Sequence, residues 1–300
     1  MLRVMVIAGM FLLLVGCSRV QLAYNQLDWL IPYFVEKEIQ LTDNQDAYLQ
    51  QSVEHLLSWH CSTHLDAYAG LLRTTNTRFQ EDKMSKKELR ELLEQIDIYW
   101  TEIKQQANPA ITHLLLTSSD AQIDELFRNL AEKDNEWLER FNEQTDEELR
   151  LDYQKNMTRE LERWFGPLQL SQQSAVVEWS AKFEPLGMEG FQIRQRWQAR
   201  LRQLLDDRSD VRAFYNGIEQ LFIHPKSLYS KGYLERIEHN TEITLALVEL
   251  VGNELNDNQR EHLANMIDSV SGDFVELACT EDGMEKQVNW ELRDRTMSAP

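Results

Sequence analysis

Four helix starts are written into this chain with the same local chemistry. Thr42 with Gln45, Ser85 with Glu88, Ser119 with Gln122 and Thr145 with Glu148 each set an N-cap side chain three residues before a Gln or Glu. In such a box the first side chain accepts from an orphan backbone N–H and the second reaches back to the cap's own N–H. Between these starts apolar residues recur every three or four positions, and strand-like alternation is almost absent. With only 11 Gly and 6 Pro to interrupt it, the chain reads as all-α. Long amphipathic helices on short connections must bury their apolar stripes on one another, which predicts an antiparallel helical bundle.

The helices expected are Gln21–Glu38, kinked at Pro32, then Asp43–Phe79, then Lys86–Ala107 resuming past Pro109. Asp120–Asn142 and Asp146–Phe165 follow, the latter stopped by Gly166-Pro167. The second half reads as Gln172–Phe183, Glu189–Leu205, Asp210–Phe222, Leu228–Val251 and Asp257–Leu277. On Asp43–Phe79, Leu49, Val53, Leu56, Leu57, Leu65, Tyr68, Leu71 and Leu72 fall on one arc, with Gln50, Gln51, Glu54 and His55 outside it.

The first residues add a location. Arg3 supplies a positive start, Val4–Val15 an apolar run, and Leu14-Val15-Gly16-Cys17 closes it. The run is too short for a membrane span, which takes about 20 apolar residues, and has the form of a secretory signal. Its end resembles the lipobox of bacterial lipoproteins. That resemblance implies Cys17 as the acylated first residue of the mature protein, a covalent lipid as its only cofactor, and a membrane held through that anchor. Three acyl chains suffice for stable attachment, where one does not. Ser18 in place of an aspartate points, by the same family rule, to the periplasmic face of the outer membrane.

The organisation expected is residues 1–16 as signal peptide and 17–40 as anchor and lead-in helix. Residues 41–166 form an N-terminal helical half, 167–279 a C-terminal half packed on it, and 280–300 a polar tail. The formal charge of −19 keeps the chain off phosphate backbones, so nucleic acid is not an expected partner. Besides Cys17 the chain holds Cys61 and Cys279. In an oxidising periplasm they form either a disulfide or two buried thiols, and spacing alone does not decide.

A weak echo runs through Leu41-Thr42-Asp43-Asn44-Gln45, Leu170-Ser171-Gln172-Gln173-Ser174 and Leu255-Asn256-Asp257-Asn258-Gln259. Helix capping accounts for it. The first copy also resembles the LTxxQ motif of small periplasmic stress chaperones, from which Ser174 and Asn256 depart in the others. A broader resemblance is carried by Val20-Gln21-Leu22-Ala23-Tyr24-Asn25-Gln26-Leu27-Asp28-Trp29-Leu30, by Leu41–Gln45, and by Leu57-Ser58-Trp59-His60 running to Leu65-Asp66-Ala67-Tyr68. These blocks resemble a family of bacterial lipoproteins known only as a domain of unknown function; His64 and Asp66 depart from its glutamate and proline. The resemblance implies an all-helical, lipid-anchored envelope protein and brings no catalytic residue.

Two constellations could carry chemistry. His60 and His64 stand four apart on one helix face, the spacing of two metal ligands, with Cys61 beside them. Two histidines bonded within a helical interface fit the same pattern, and the sequence supplies no third ligand. Arg194, Arg196, Arg200 and Arg202 make a basic island, either an anion site or a set of partners for the carboxylate excess. No phosphate loop, G-x-S-x-G elbow or HExxH occurs. The function expected is therefore a non-enzymatic helical scaffold or envelope assembly factor with an envelope protein partner. A chaperone-like module for unfolded or amphipathic clients is the alternative.

Overall fold

The computed structural model describes residues 17–81 and 84–279, with side chains from Val20 onward. The expected signal peptide, residues 1–16, and the expected tail, residues 280–300, lie outside the described residues, as does the side chain of Cys17. The described residues form twelve α-helices and contain no strand. They are α1 Cys17–Tyr24, α2 Leu27–Glu36, α3 Asp43–Thr63, α4 Leu65–Gln80, α5 Lys86–Thr117 and α6 Asp120–Glu143. The second half contains α7 Asp146–Phe165, α8 Leu170–Lys182, α9 Gly187–Asp206, α10 Val211–Ile223, α11 Lys231–Asn253 and α12 Asp257–Leu277.

All four capping boxes form where the sequence placed them. Gly166 ends α7 at φ 76°, a conformation that favours a residue without Cβ.

Three expected boundaries are corrected. The lead-in helix breaks at Asn25-Gln26, while Pro32 is accommodated inside α2. The helix expected over Asp43–Phe79 is two helices hinged at His64, whose backbone sits at φ −111°, ψ −38°. Ser62 and Thr63 return their hydroxyls to the Ser58 and Trp59 carbonyls at 2.7–3.0 Å, and such back-bonding bends a helix. Conversely, α5 runs its 32 residues through Pro109 without interruption.

At about 1.5 Å per residue α5 is a strut close to 50 Å long. One core gathers round its start. Leu89 of α5 joins Phe79, Leu161, Phe165, Val176, Trp179, Leu245, Val251, Leu263 and Ile267, from α4, α7, α8, α11 and α12. A second gathers round its end, where Leu115 and Leu116 meet Ile123 of α6, Leu201, Leu204 and Leu205 of α9, and Phe214, Ile218 and Leu221 of α10. The last helix, α12, returns to lie along α4, α7 and α1.

Close approach in the first core depends on Gly252. A Cβ there would stand 2.4 Å from the Phe79 ring edge, and Phe79 is itself buried. Gly252→Ala is expected to destabilise by about 1–3 kcal/mol through overpacking, despite alanine's better helix propensity. A denaturation midpoint equal to or above the parent's would show that the ring moves aside freely.

The glutamines of four N-termini do more than cap. Gln45 of α3 and Gln122 of α6 exchange amides, with Gln122 Nε2 donating to Gln45 Oε1 at 2.7 Å and the reverse bond at 3.4 Å. Gln172 of α8 and Gln259 of α12 repeat this at 2.9 and 3.3 Å. In each pair both Nε2 groups also reach the carbonyl two residues before the partner's N-cap. These carbonyls are Gln40 and Thr117 in the first pair, Pro167 and Glu254 in the second. The two clasps are therefore copies of one arrangement, each beside one core.

The echo in the sequence is this arrangement, but its middle copy is displaced. The cap of α8 is Gln169, whose N–H donates to Gln172 Oε1 at 2.9 Å. Ser171 lies within the first turn and bonds the Glu254 carboxylate at 3.1 Å. An open depression of about 620 Å³ covers the first clasp, lined by Gln40, Leu41, Thr42, Ala121, Gln122 and Glu125 among others.

Candidate functional site

The densest set of convergent polar rings lies where α1 meets the hinge between α3 and α4. Tyr24 comes from α1, Trp59 and His60 from α3, His64 from the hinge, Tyr68 from α4, and Tyr99 and Glu102 from α5. The i, i+4 spacing stacks the His60 and His64 rings at 5.3 Å, nearly parallel at 18°. Trp59 lies 4.6 Å from the His64 ring, and Tyr99 meets both His64 and Tyr68 edge-on.

Both nitrogens of each imidazole face protein partners. His60 Nδ1 is 2.9 Å from the Tyr24 hydroxyl and Nε2 is 3.1 Å from that of Tyr68. The Tyr24 hydroxyl also reaches the Leu57 carbonyl at 3.4 Å. A carbonyl can only accept, so Tyr24 donates there and accepts from His60 Nδ1–H, while Tyr68 donates to Nε2. His64 has Thr63 Oγ1 at 2.7 Å on one nitrogen and Glu102 Oε2 at 3.1 Å on the other. The two histidines thus share a face as expected but aim at the interface rather than at a common point. Among the described residues no group of three or more His, Cys, Asp or Glu stands in metal-holding geometry.

Burial shifts the titration of Tyr24, Tyr68 and His60. It pushes Tyr24 up to about 12 and Tyr68 higher still. Burial first, and His64 second, push His60 down from 6.5 to about 4. His60 is therefore neutral at pH 7, as the donor–acceptor chain requires. An unfolded chain takes up a proton near pH 6.5 that the folded one refuses until about 4. Stability from this group is complete above 6.5 and falls as the pH drops toward 4, by about 2 kcal/mol at pH 5. The difference in melting temperature between pH 7 and pH 5 should shrink in His60→Gln, which keeps a hydrogen-bonding side chain without the titration. An unchanged difference would locate the acid sensitivity elsewhere.

What the cluster does mechanically is hold α1. Tyr24 is clamped to His60, Val20 packs against Val270 of α12, and Gln21 bonds Glu276 of α12. Next to the cluster, Cys61 is bonded to Cys279, with S–S 2.08 Å and Cα–Cα 5.1 Å. The Cys279 N–H donates to the Cys61 carbonyl at 3.2 Å. Helix α1, the hinge of the long N-terminal pair and the end of the last described helix thus meet in one place.

The arginines of α9 are distributed rather than gathered. Arg194 pairs with the buried Asp134 at 2.7 Å and lies over the Trp137 and Phe191 rings. Arg202 pairs with Asp124 at 2.9 Å and Asp206 at 3.3 Å. Arg196 donates to the Leu228 carbonyl at 3.2 Å and Arg200 to Gln203 at 2.7 Å, and both are exposed. The sequence did not reveal Tyr24, Tyr99 and Glu102 as part of the histidine cluster. Tyr24 comes from α1 and both Tyr99 and Glu102 from α5, and no local pattern links them to the histidines.

An all-helical body with a polar ring cluster engaged within itself defines a fold class rather than an activity. The chain belongs to a family of unknown function, DUF6279, whose model matches residues 37–234. Comparisons with curated proteins and with solved structures give no match.

Proposed function

We propose that this protein is a non-enzymatic lipoprotein of the outer membrane's periplasmic face, a helical scaffold or assembly factor held by acyl chains on Cys17. The observation that carries this reading is the docking of α1. Helix α1, described over Cys17–Tyr24 and clamped through Val20, Gln21 and Tyr24, would transmit a lipid tether on Cys17 to the whole body without a free linker. Such coupling suits a protein that must present its flanks at a set distance from a bilayer. A second support is that the cluster's polar groups are engaged with one another, as the groups of a structural joint are. No described helix is long and apolar enough to cross a membrane, so attachment at residue 17 carries the membrane association in this reading. The chaperone-like alternative rests on the LTxxQ resemblance of Leu41–Gln45, and there Thr42 and Gln45 form a capping box while Gln45 also exchanges amides with Gln122.

Cys17→Ser is the direct test. The parent should take up labelled palmitate and fractionate with outer membranes, and the variant should do neither. A variant that fractionates as the parent does, with no palmitate in either, would end the reading. In-cell crosslinking of the anchored form then identifies the envelope partner.

A further inference from the structure

We infer that the outward face of α2 is a bilayer-docking surface that seats in the interfacial layer of a lipid membrane; this rests on the reading of Cys17 as the lipid anchor. The helix is strongly divided. Leu27, Ile31 and Val35 are half-buried and Pro32 fully so, on the side that packs against α3. On the other side Trp29 is 52% exposed, Tyr33 43% and Phe34 57%, and Leu22 of α1 adds a further 59%. The three aromatic rings are mutually packed, Trp29 on Tyr33 at 5.8 Å and Tyr33 on Phe34 at 5.6 Å, so they form one surface rather than scattered residues. Lys37 lies over the Tyr33 ring with its Nζ 4.5 Å from the centroid.

Two observations choose a bilayer as the occupant. The first is reach. From Cys17 to Trp29 the chain runs through the eight residues of α1, a two-residue break and the first turn of α2. Helical rise and extended chain together limit that path to about 25 Å. Acyl chains on Cys17 therefore hold the aromatic face within one helix length of the membrane surface. The second is chemistry. Trp and Tyr with apolar bodies and polar tips, beside a Lys whose stem lies on the ring while its charge stays in water, are the residues that settle at headgroup level. Asp28 and Glu36 are exposed at the ends of the helix, and the chain's net charge is −19. The docking is therefore driven by apolar burial and is predicted on zwitterionic lipid, with weaker seating on anionic lipid.

The test uses the protein purified as cells make it, placed in vesicles of phosphatidylethanolamine and phosphatidylcholine whose acyl chains carry bromine, a contact quencher of tryptophan. The chain has eight tryptophans, so seating of Trp29 should remove roughly one eighth of the emission. Trp29→Phe keeps the face apolar and should abolish that loss. A second variant, Tyr33→Ser with Phe34→Ser, keeps Trp29 but weakens the face, and should also lose the quenching while its melting temperature stays at the parent's. Mass spectrometry of the same preparation reads the acyl chains on Cys17 independently. Acylated protein whose quenching is identical with and without Trp29 overturns the docking and leaves the anchor standing. Protein without acyl chains overturns the anchor reading and the inference with it. Trp29 emission that shifts only on adding an envelope protein fraction, and never with brominated lipid, gives the face to a protein and also overturns the inference.

Discussion

Loss of the Cys61–Cys279 bond should lower the melting temperature by about 10 °C. The two residues are 218 apart in sequence, so the bond closes nearly the whole described chain into one loop. Removing it returns to the unfolded ensemble a closure entropy that models place near 5 kcal/mol, with 2–5 kcal/mol as the usual measured range. For a chain of this size each kcal/mol moves the midpoint by roughly 2–4 °C. The folded state adds a local reason for a large effect. The bond sits beside the hinge at His64 and fixes the end of α12, whose upper turns carry Val270 and Glu276, the supports of α1. The test is calorimetry on the oxidised parent and on Cys61→Ser with Cys279→Ser. The double variant, unlike a single one, leaves no unpaired thiol to form foreign disulfides. A shift below 2 °C would mean that the ends of α3 and α12 hold together without the bond. A shift that also releases α1 should make residues 17–24 the first site of proteolysis.

How much of this was legible in the sequence depends on the range of the interaction. Capping is a matter of three residues, and Thr42–Gln45, Ser85–Glu88, Ser119–Gln122 and Thr145–Glu148 all form as read. The buried arc of the first long helix was legible too, with Leu49, Val53 and Leu65 almost fully enclosed. The hinge at His64 was not, because no Gly or Pro marks it. It arises from two hydroxyls bonding backward and from a buried His64 held by Glu102, 38 residues away. Pro109 misled in the opposite direction, since its surroundings keep α5 in one piece at a position where local propensity calls for a break. The histidine spacing correctly put both rings on one face, but whether they face a metal or each other's hydrogen-bond partners is decided by Tyr24, Tyr68 and Glu102. The glutamine clasps show the same limit most clearly. Gln45, Gln122 and Gln259 belong to caps that the sequence announces and Gln172 to one displaced from Ser171 to Gln169, while the exchange of amides joins residues 77 or 87 apart.

That exchange sets the second large expectation. Gln259→Leu should destabilise the protein by about 4 kcal/mol, several times the ~1 kcal/mol of an ordinary lost cap. Gln172 is 0% and Gln259 2% exposed, so water does not replace the amide lost between them. The substitution strands the Pro167 carbonyl, bonded at 3.0 Å, and the Asn256 N–H, bonded at 3.2 Å. It also takes away the amide that Gln172 bonds and the acceptor for Gln169 Nε2, at 3.0 Å. The amide of the fully buried Gln172 costs about 1–3 kcal/mol when stranded, the groups on the exposed Pro167 and Asn256 cost less, and the costs overlap because they share one network. The first clasp is more open, with Gln45 8% and Gln122 9% exposed beneath the depression, so Gln45→Leu should cost only about 2 kcal/mol as water enters. The decisive measurement is a double-mutant cycle by denaturant unfolding. If Gln172 and Gln259 act as a pair, replacing both by leucine should cost at least 1 kcal/mol less than the sum of the single changes. Strict additivity, with each single change near 1 kcal/mol, would reduce the clasps to independent helix caps. A strong coupling makes the second clasp the fastening between the N-termini of α8 and α12, and through α12 a remote determinant of how firmly α1 and the Cys17 end of the chain are held.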